Sequence, residues 1–179
     1  AICLRDEDLR TDRQPEHTQL DFEMAFVDEN DIMNLIENLM KHLVKESLNK
    51  TVKGSFPKLT YEESMSKYGT DKPDLRYDLE LQDVTSLVKD SEFKVFHNAI
   101  EKKGIIKMLA VEHDFTRKDI EDLTDIATNE GAKGLAYLKV NDNKLEGNLA
   151  KFFPGKLHKD LISKSKIKKG YLLFVADKY

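Results

Sequence analysis

Residues 1–24 read AICLRDEDLRTDRQPEHTQLDFEM, two apolar runs at positions 2–4 and 20–26 flanking a loop dense with charge. Three arginines (Arg5, Arg10, Arg13) and seven acids (Asp6, Glu7, Asp8, Asp12, Glu16, Asp21, Glu23) fall in this stretch. A hairpin connection needs only about two to five residues. A loop this long and this charged is suited to gripping a ligand as well as to reversing the chain. Leu20, Phe22, Met24 and Phe26 alternate with Gln19, Asp21, Glu23 and Ala25, which predicts a half-buried strand with one core face. If the first run pairs antiparallel to it, Arg5 emerges on the polar face, because Ile2 and Leu4 point the other way. A guanidinium fork can hold a carboxylate or phosphate bidentately, and an acid can hold an ammonium group, so such a face suits a zwitterion. The same pattern also fits a solvent-facing sheet with ordinary surface ion pairs.

Three signatures add a family resemblance. Residues 2–23 resemble motif 2 of the class II aminoacyl-tRNA synthetases, in the form C-F-R-D-E-D-L-R-x-D-R-Q-P-E-F-T-Q-x-D-x-E of the bacterial-type aspartyl enzymes. Tyr68-Gly-Thr-Asp-Lys-Pro-Asp-Leu-Arg76 resembles a second signature of that family. Gly131-Ala-Lys-Gly-Leu-Ala-Tyr137 resembles a third, in an insertion shared with a subunit of the tRNA-dependent amidotransferases. They occur in the family's order and cover almost the whole chain.

The resemblance implies roles. Arg5 is expected to bind the α-phosphate of ATP and then the carboxyl region of the aspartyl-adenylate, as the catalytic residue. Glu7 and Gln14 are expected in the ATP pocket, Asp21 on the α-ammonium of aspartate, and Arg10 on the tRNA acceptor end. His17 stands where most members carry a phenylalanine that stacks on adenine. An imidazole can still stack, but it is smaller and titrates near neutral pH; a loop histidine without a ligand role is the other reading. Asp71, Lys72 and Arg76 are candidates for substrate or tRNA contact, or equally the surface charge of a structured turn. Implied partners are ATP, aspartate and tRNA(Asp), with Mg2+ in the complete enzyme and nothing bound to the fragment; the parent is expected to be a homodimer.

Composition is compatible. Forty per cent hydrophobic and 35% charged residues suit a globular protein. A net charge of −4 argues against a protein that coats nucleic acid generally. No run approaches the roughly 18 apolar residues of a membrane helix. Cys3 is the single cysteine, so no internal disulfide forms, which fits a reducing, cytoplasmic setting. The five histidines lack ligand spacing, and no structural metal is expected. The opening without methionine, inside a strand-like run, reads as a piece of a longer protein. Motif 1, motif 3 and the anticodon-binding barrel of a complete enzyme are not found in it.

Along the chain, Ile32, Leu35, Ile36, Leu39, Met40, Leu43 and Val44 predict a core-facing helix, capped by Asp28 or Asn30 and ending near Asn49. Residues 51–59 form a connector. Thr60-x-x-Glu63 is a capping box, with Gly69 at the helix end. Residues 69–81 read as the seam between domains. Beyond them, strands are expected at residues 93–96, 105–111, 135–140 and 171–176. A helix should start at Thr116-x-x-Asp119 and stop at Gly131, and a helical turn at 148–153 should halt at Pro154. Lys133 between glycines can meet a phosphate or merely follow a helix end. The lysines of residues 156–169 form a modest basic patch or a solvated face.

The expected fold is α+β: residues 1–81 a partial class II catalytic domain with an antiparallel hairpin and helices, and residues 82–179 a small α+β insertion domain. The expected function is that of a fragment of an aspartate–tRNA ligase, inactive by itself. The competing reading is a non-catalytic binding or structural module built on residues 82–179.

Overall fold

The computed structural model describes residues 1–6, 8–11 and 13–178. The chain divides into two compact units, Ala1–Lys58 and Leu59–Tyr179.

The first unit holds strands β1 (Ile2–Leu4) and β2 (Glu16–Thr18) and helix α1 (Glu29–Leu48). The strands pair antiparallel, Ile2 with Thr18, Cys3 with His17 and Leu4 with Glu16. The hairpin is therefore present, but its return strand lies earlier than the alternation predicted. Residues 20–26 form no strand, and Leu20, Phe22, Met24 and Phe26 are exposed instead of lining a core. The reason is the register. The β1–β2 pairing carries through the bond from Gln19 N–H to Ala1 O at 2.7 Å, and residues 20–26 have no strand partner among the described residues. A period-two pattern gains a strand only where a partner satisfies its backbone.

Helix α1 forms as its stripe and caps dictate. Asp28 accepts from the backbone of Asn30 and Asp31, the Asp31 carboxylate accepts from the Asp28 N–H, and Asn49 ends the helix in the left-handed region. The stripe does not reach a core: no residue of α1 is buried, and Ile32, Ile36, Met40 and Leu43 stay largely open. A hairpin and one helix supply too little surface to enclose it. Glu37 instead anchors the connector, its carboxylate accepting from Lys41 at 2.6 Å and from the Phe56 N–H at 3.1 Å. These bonds hold its pKa below the usual carboxylate value.

The second unit runs α2 (Tyr61–Tyr68), β3 (Gln82–Asp83), α3 (Thr85–Val88), α4 (Lys94–Glu101), β4 (Ile105–Val111), α5 (Arg117–Asn129), β5 (Ala136–Asn141), β6 (Lys144–Glu146), α6 (Gly155–Ser165) and β7 (Lys169–Asp177). Both capping boxes are formed, Thr60 with Glu63 and Thr116 with Asp119. The strands make one antiparallel sheet in the order β3-β4-β7-β5-β6. Central β7 is apolar on both faces because both are covered. Leu172 and Phe174 join the main core with Val84, Val88, Phe96 and Leu161, while Tyr171 and Leu173 join the smaller one with Ile120 of α5. The chain is thus α+β, as expected.

One local reading changes, and one hairpin appears that the sequence reading does not include. Residues 93–96, expected as a strand, open helix α4, with Phe93, Phe96 and Ile100 at helical spacing and Phe96 buried. A four-residue apolar run carries no period of its own. The β5–β6 hairpin, which hydrophobic pattern does not announce, turns on Asp142 and Asn143, both at positive φ. Residues 59–81, assigned by sequence to the first domain, lie in the second compact unit, where Lys107 of β4 donates to Ser66 O of α2 at 3.3 Å. A family segment and a compact unit need not end at the same residue.

Candidate functional site

The hairpin is built by its backbone. Arg5 N–H donates to Pro15 O at 2.8 Å, extending the β1–β2 ladder by one step. At the tip, Arg10 and Arg13 exchange backbone bonds of 3.4 and 3.1 Å, so the chain reverses between them. Opposed residues of an antiparallel pair project to the same side. Arg5 therefore shares a face with Cys3, His17 and Gln19, while Ile2, Leu4, Glu16 and Thr18 occupy the other. On the first face the Cys3 thiol donates to Gln19 Oε1 at 2.7 Å, and Cys3, His17 and Gln19 are half-buried. On the second, Ile2 and Leu4 are 76% and 77% exposed.

The candidate residues are placed as follows. Arg5 and His17 are brought to one face of one hairpin, and Gln14 lies exposed just before β2. Arg10 is exposed at the tip. Asp21 is exposed beyond the last ladder bond, so the sheet does not fix it relative to Arg5. Glu7 lies outside the described residues. Among the described residues no group of three or more His, Cys, Asp or Glu side chains could hold a metal ion.

The stretch after α2 is folded back on itself. Ser64 Oγ donates to Thr70 O at 2.8 Å, Leu81 N–H to Lys67 O at 2.6 Å, and the Tyr68 hydroxyl to Glu80 at 3.1 Å. Partial burial and that bond to Glu80 raise the Tyr68 pKa. Asp74 caps a single turn of 3-10 helix, Leu75–Tyr77, and grips Arg76. Its Oδ1 accepts from the Arg76 N–H at 3.0 Å and from Nε at 2.8 Å, and its Oδ2 takes Nη2. The guanidinium holds the Asp74 carboxyl down to a pKa of about 2. Arg76 also lies 5.9 Å from the Tyr77 ring centroid. Asp71 and Lys72 are exposed and 3.7 Å apart. Sequence reasoning did not single out Asp74; the readable signal was an acid two residues before an arginine after proline.

In the third signature, Gly131 ends α5 at φ +96°, and the Lys133 ammonium sits 2.8 Å from Asp177 Oδ1. The lysines of residues 156–169 are spread along and after α6, with Lys156, Lys159, Lys164, Lys166, Lys168 and Lys169 exposed.

The family model for class II tRNA synthetases (D, K and N) matches residues 1–176. The chain belongs to that family. Among its relatives, an aspartate–tRNA(Asp/Asn) ligase of Persephonella marina is 48% identical over 185 residues, covering 99% of this chain and 30% of that protein. The aspartate–tRNA(Asp/Asn) ligase of Bacillus subtilis is 46% identical over 183 residues, covering 100% and 31%. An aspartate–tRNA ligase of Staphylococcus aureus is 45% identical over 180 residues, covering 98% and 31%. This class II chain thus spans about a third of the length of the relatives it matches. Among its described residues no helix is long and apolar enough to cross a membrane.

Proposed function

We propose that this chain supplies the motif 2 hairpin and the inserted domain of an aspartate–tRNA ligase working in the cytoplasm. Residues 1–81 are read as catalytic-domain segment and residues 82–179 as insertion. The observation that carries this reading is the hairpin register, with Arg5 and His17 on one face of a two-stranded ribbon. In the reaction, an aspartate carboxylate oxygen attacks the α-phosphorus of ATP and pyrophosphate leaves. The aspartyl group then passes to a ribose hydroxyl at the tRNA end, releasing AMP. Such chemistry depends on alignment and on charge stabilisation at the phosphoryl group, both of which a guanidinium fork supplies.

In this reading Arg5 clamps the α-phosphate and then the adenylate, Gln14 and Glu7 line the ATP pocket, and His17 stacks on adenine. Asp21 receives the ammonium of aspartate and Arg10 meets the acceptor end. Mg2+ accompanies ATP in the complete enzyme, which acts as a homodimer. The open apolar face of Ile2 and Leu4 and the open stripe of α1 pack against the remainder of the catalytic domain. This chain by itself performs no aminoacylation.

The test is titration of ATP and a non-hydrolysable aspartyl-adenylate mimic into the full-length enzyme and its Arg5→Ala form. Loss of a charge-assisted bidentate contact weakens adenylate binding about ten- to a hundredfold. Unchanged binding overturns the role given to Arg5.

One observation favours a second reading, a binding module built on residues 82–179. Among the described residues, every buried apolar side chain lies at or beyond Val84. A full-length enzyme that keeps its aminoacylation rate and tRNA affinity after excision of residues 82–179 would favour it, since the insertion would then serve something else.

A further inference from the structure

The second unit carries a cleft of about 530 Å³ that none of the roles above uses. One wall is a single stripe of α4, where Val95, Asn98, Ala99 and Lys102 recur at helical spacing. The floor is the end of β7, with Phe174 at the bottom beside Ala176. The far wall is the extended stretch from Lys133 to Ala136, with Leu149 behind it. The space is open because small residues surround it: Ala99, Gly134, Ala136 and Ala176 put no bulk into the gap, and a Cβ built on Gly134 meets nothing within 4 Å. Its volume is that of a small-molecule pocket, within the roughly 300–1,000 Å³ such sites occupy.

Positive charge predominates at the mouth. Lys102, Lys133 and Lys178 stand around it against a single acid, Asp177. Asp177 is already engaged, accepting from Lys133 Nζ and from the Lys178 N–H, both at 2.8 Å. The Lys178 ammonium lies in the field of Asp177, and Lys102 has no carboxylate partner among the described residues. One ring of the lining is partly open: Phe93 is half-buried and packs edge to face on Phe96 with ring centroids 4.9 Å apart, while Phe96 and Phe174 are buried in the core. A flat apolar body fits against Phe93, Val95 and Leu135, and an anionic group attached to it suits the lysines at the mouth.

We propose that this cleft is a binding site for a small aromatic anion, its ring seated against the half-buried Phe93 and its charge held between Lys102 and Lys178. The site lies wholly within the second unit, so it stands or falls apart from the hairpin's role in ATP binding. Indole-3-acetate and its neutral counterpart indole-3-acetamide, titrated into the full 179-residue chain and followed by amide NMR, provide the test. The acetate should give saturable shifts at Ala99, Lys102, Gly134 and Leu135, and the acetamide should bind about tenfold more weakly. The double variant Lys102→Gln, Lys178→Gln should bring the acetate down to the acetamide's affinity, and Ala99→Leu should abolish binding of both. The double variant changes two exposed side chains, so it remains readable if Ala99→Leu does not fold. Absence of saturable shifts at those amides, equal affinity for acid and amide, or indifference to the double substitution overturns the proposal.

Discussion

Replacing Gly170 by alanine should damage the second unit far more than replacing Gly147, although both sit at positive φ. Gly170 lies near the start of β7, opposite Val140 of β5, where the sheet is closest to the last residue of β4. A Cβ built there falls 2.0 Å from Val111 O and 3.0 Å from Glu112 Cα. Ordinary carbon contacts begin at about 3.5 Å, so the end of β4 must withdraw from the central strand. The φ of +138° adds backbone strain of about 1–3 kcal/mol, and the forced shift a further 1–3 kcal/mol or so. Gly147, at φ +108° with nothing within 4 Å of its built Cβ, carries the backbone part alone. Native-state hydrogen exchange at Leu172 and Phe174, in the centre of β7, reads the opening of this unit separately from the first. Exchange in Gly170→Ala should be about tenfold or more faster than in Gly147→Ala. Equal acceleration in the two variants would refute the steric reasoning and leave only a shared conformational cost.

Further outcomes follow from local contacts. The Asp74 carboxyl, held at about 2 against an ordinary 3.8 by Arg76, is a depressed acid. Its stabilising contribution is complete above the ordinary value and fades as pH falls from about 4 towards 2. A carboxyl carbon NMR titration should show that midpoint, and Arg76→Gln should return it towards 3.8; an unmoved midpoint would discard Arg76 as the cause. Thr116→Ala removes the hydroxyl that caps α5 and should lower the stability of the second unit by about 1 kcal/mol, measured by the same exchange experiment. No loss would mean that packing of Ile120 alone holds that helix end.

Of the candidate site, what was legible in the sequence is the hairpin and its residue identities. Arg5 and His17 share a face by simple parity once the strands pair, and parity is readable when the register is known. The register itself is not readable. Alternation in residues 20–26 points to a strand there, yet the paired residues are 16–18, and the ladder bonds reach no further than Gln19 among the described residues. Asp21 thereby leaves the sheet, and its distance from Arg5 is not set by pairing. The grip of Asp74 on Arg76 is a local contact that two-residue spacing permits but does not require.

The sequence by itself determined the elements whose causes are local. The caps at Asp28, Thr60 and Thr116 act within three residues, so they form wherever the helix forms. The apolar run at residues 171–176 likewise announced a strand. Only the tertiary structure decided that residues 93–96 coil into α4 over the sheet rather than extend beside it. It alone left the stripe of α1 open, and it alone drew Lys102 and Lys178, 76 positions apart in sequence, to the mouth of one cleft. Local chemistry chooses a conformation through neighbours a few bonds away; a partner strand, a covering layer or a shared cavity is supplied by residues that only folding brings close.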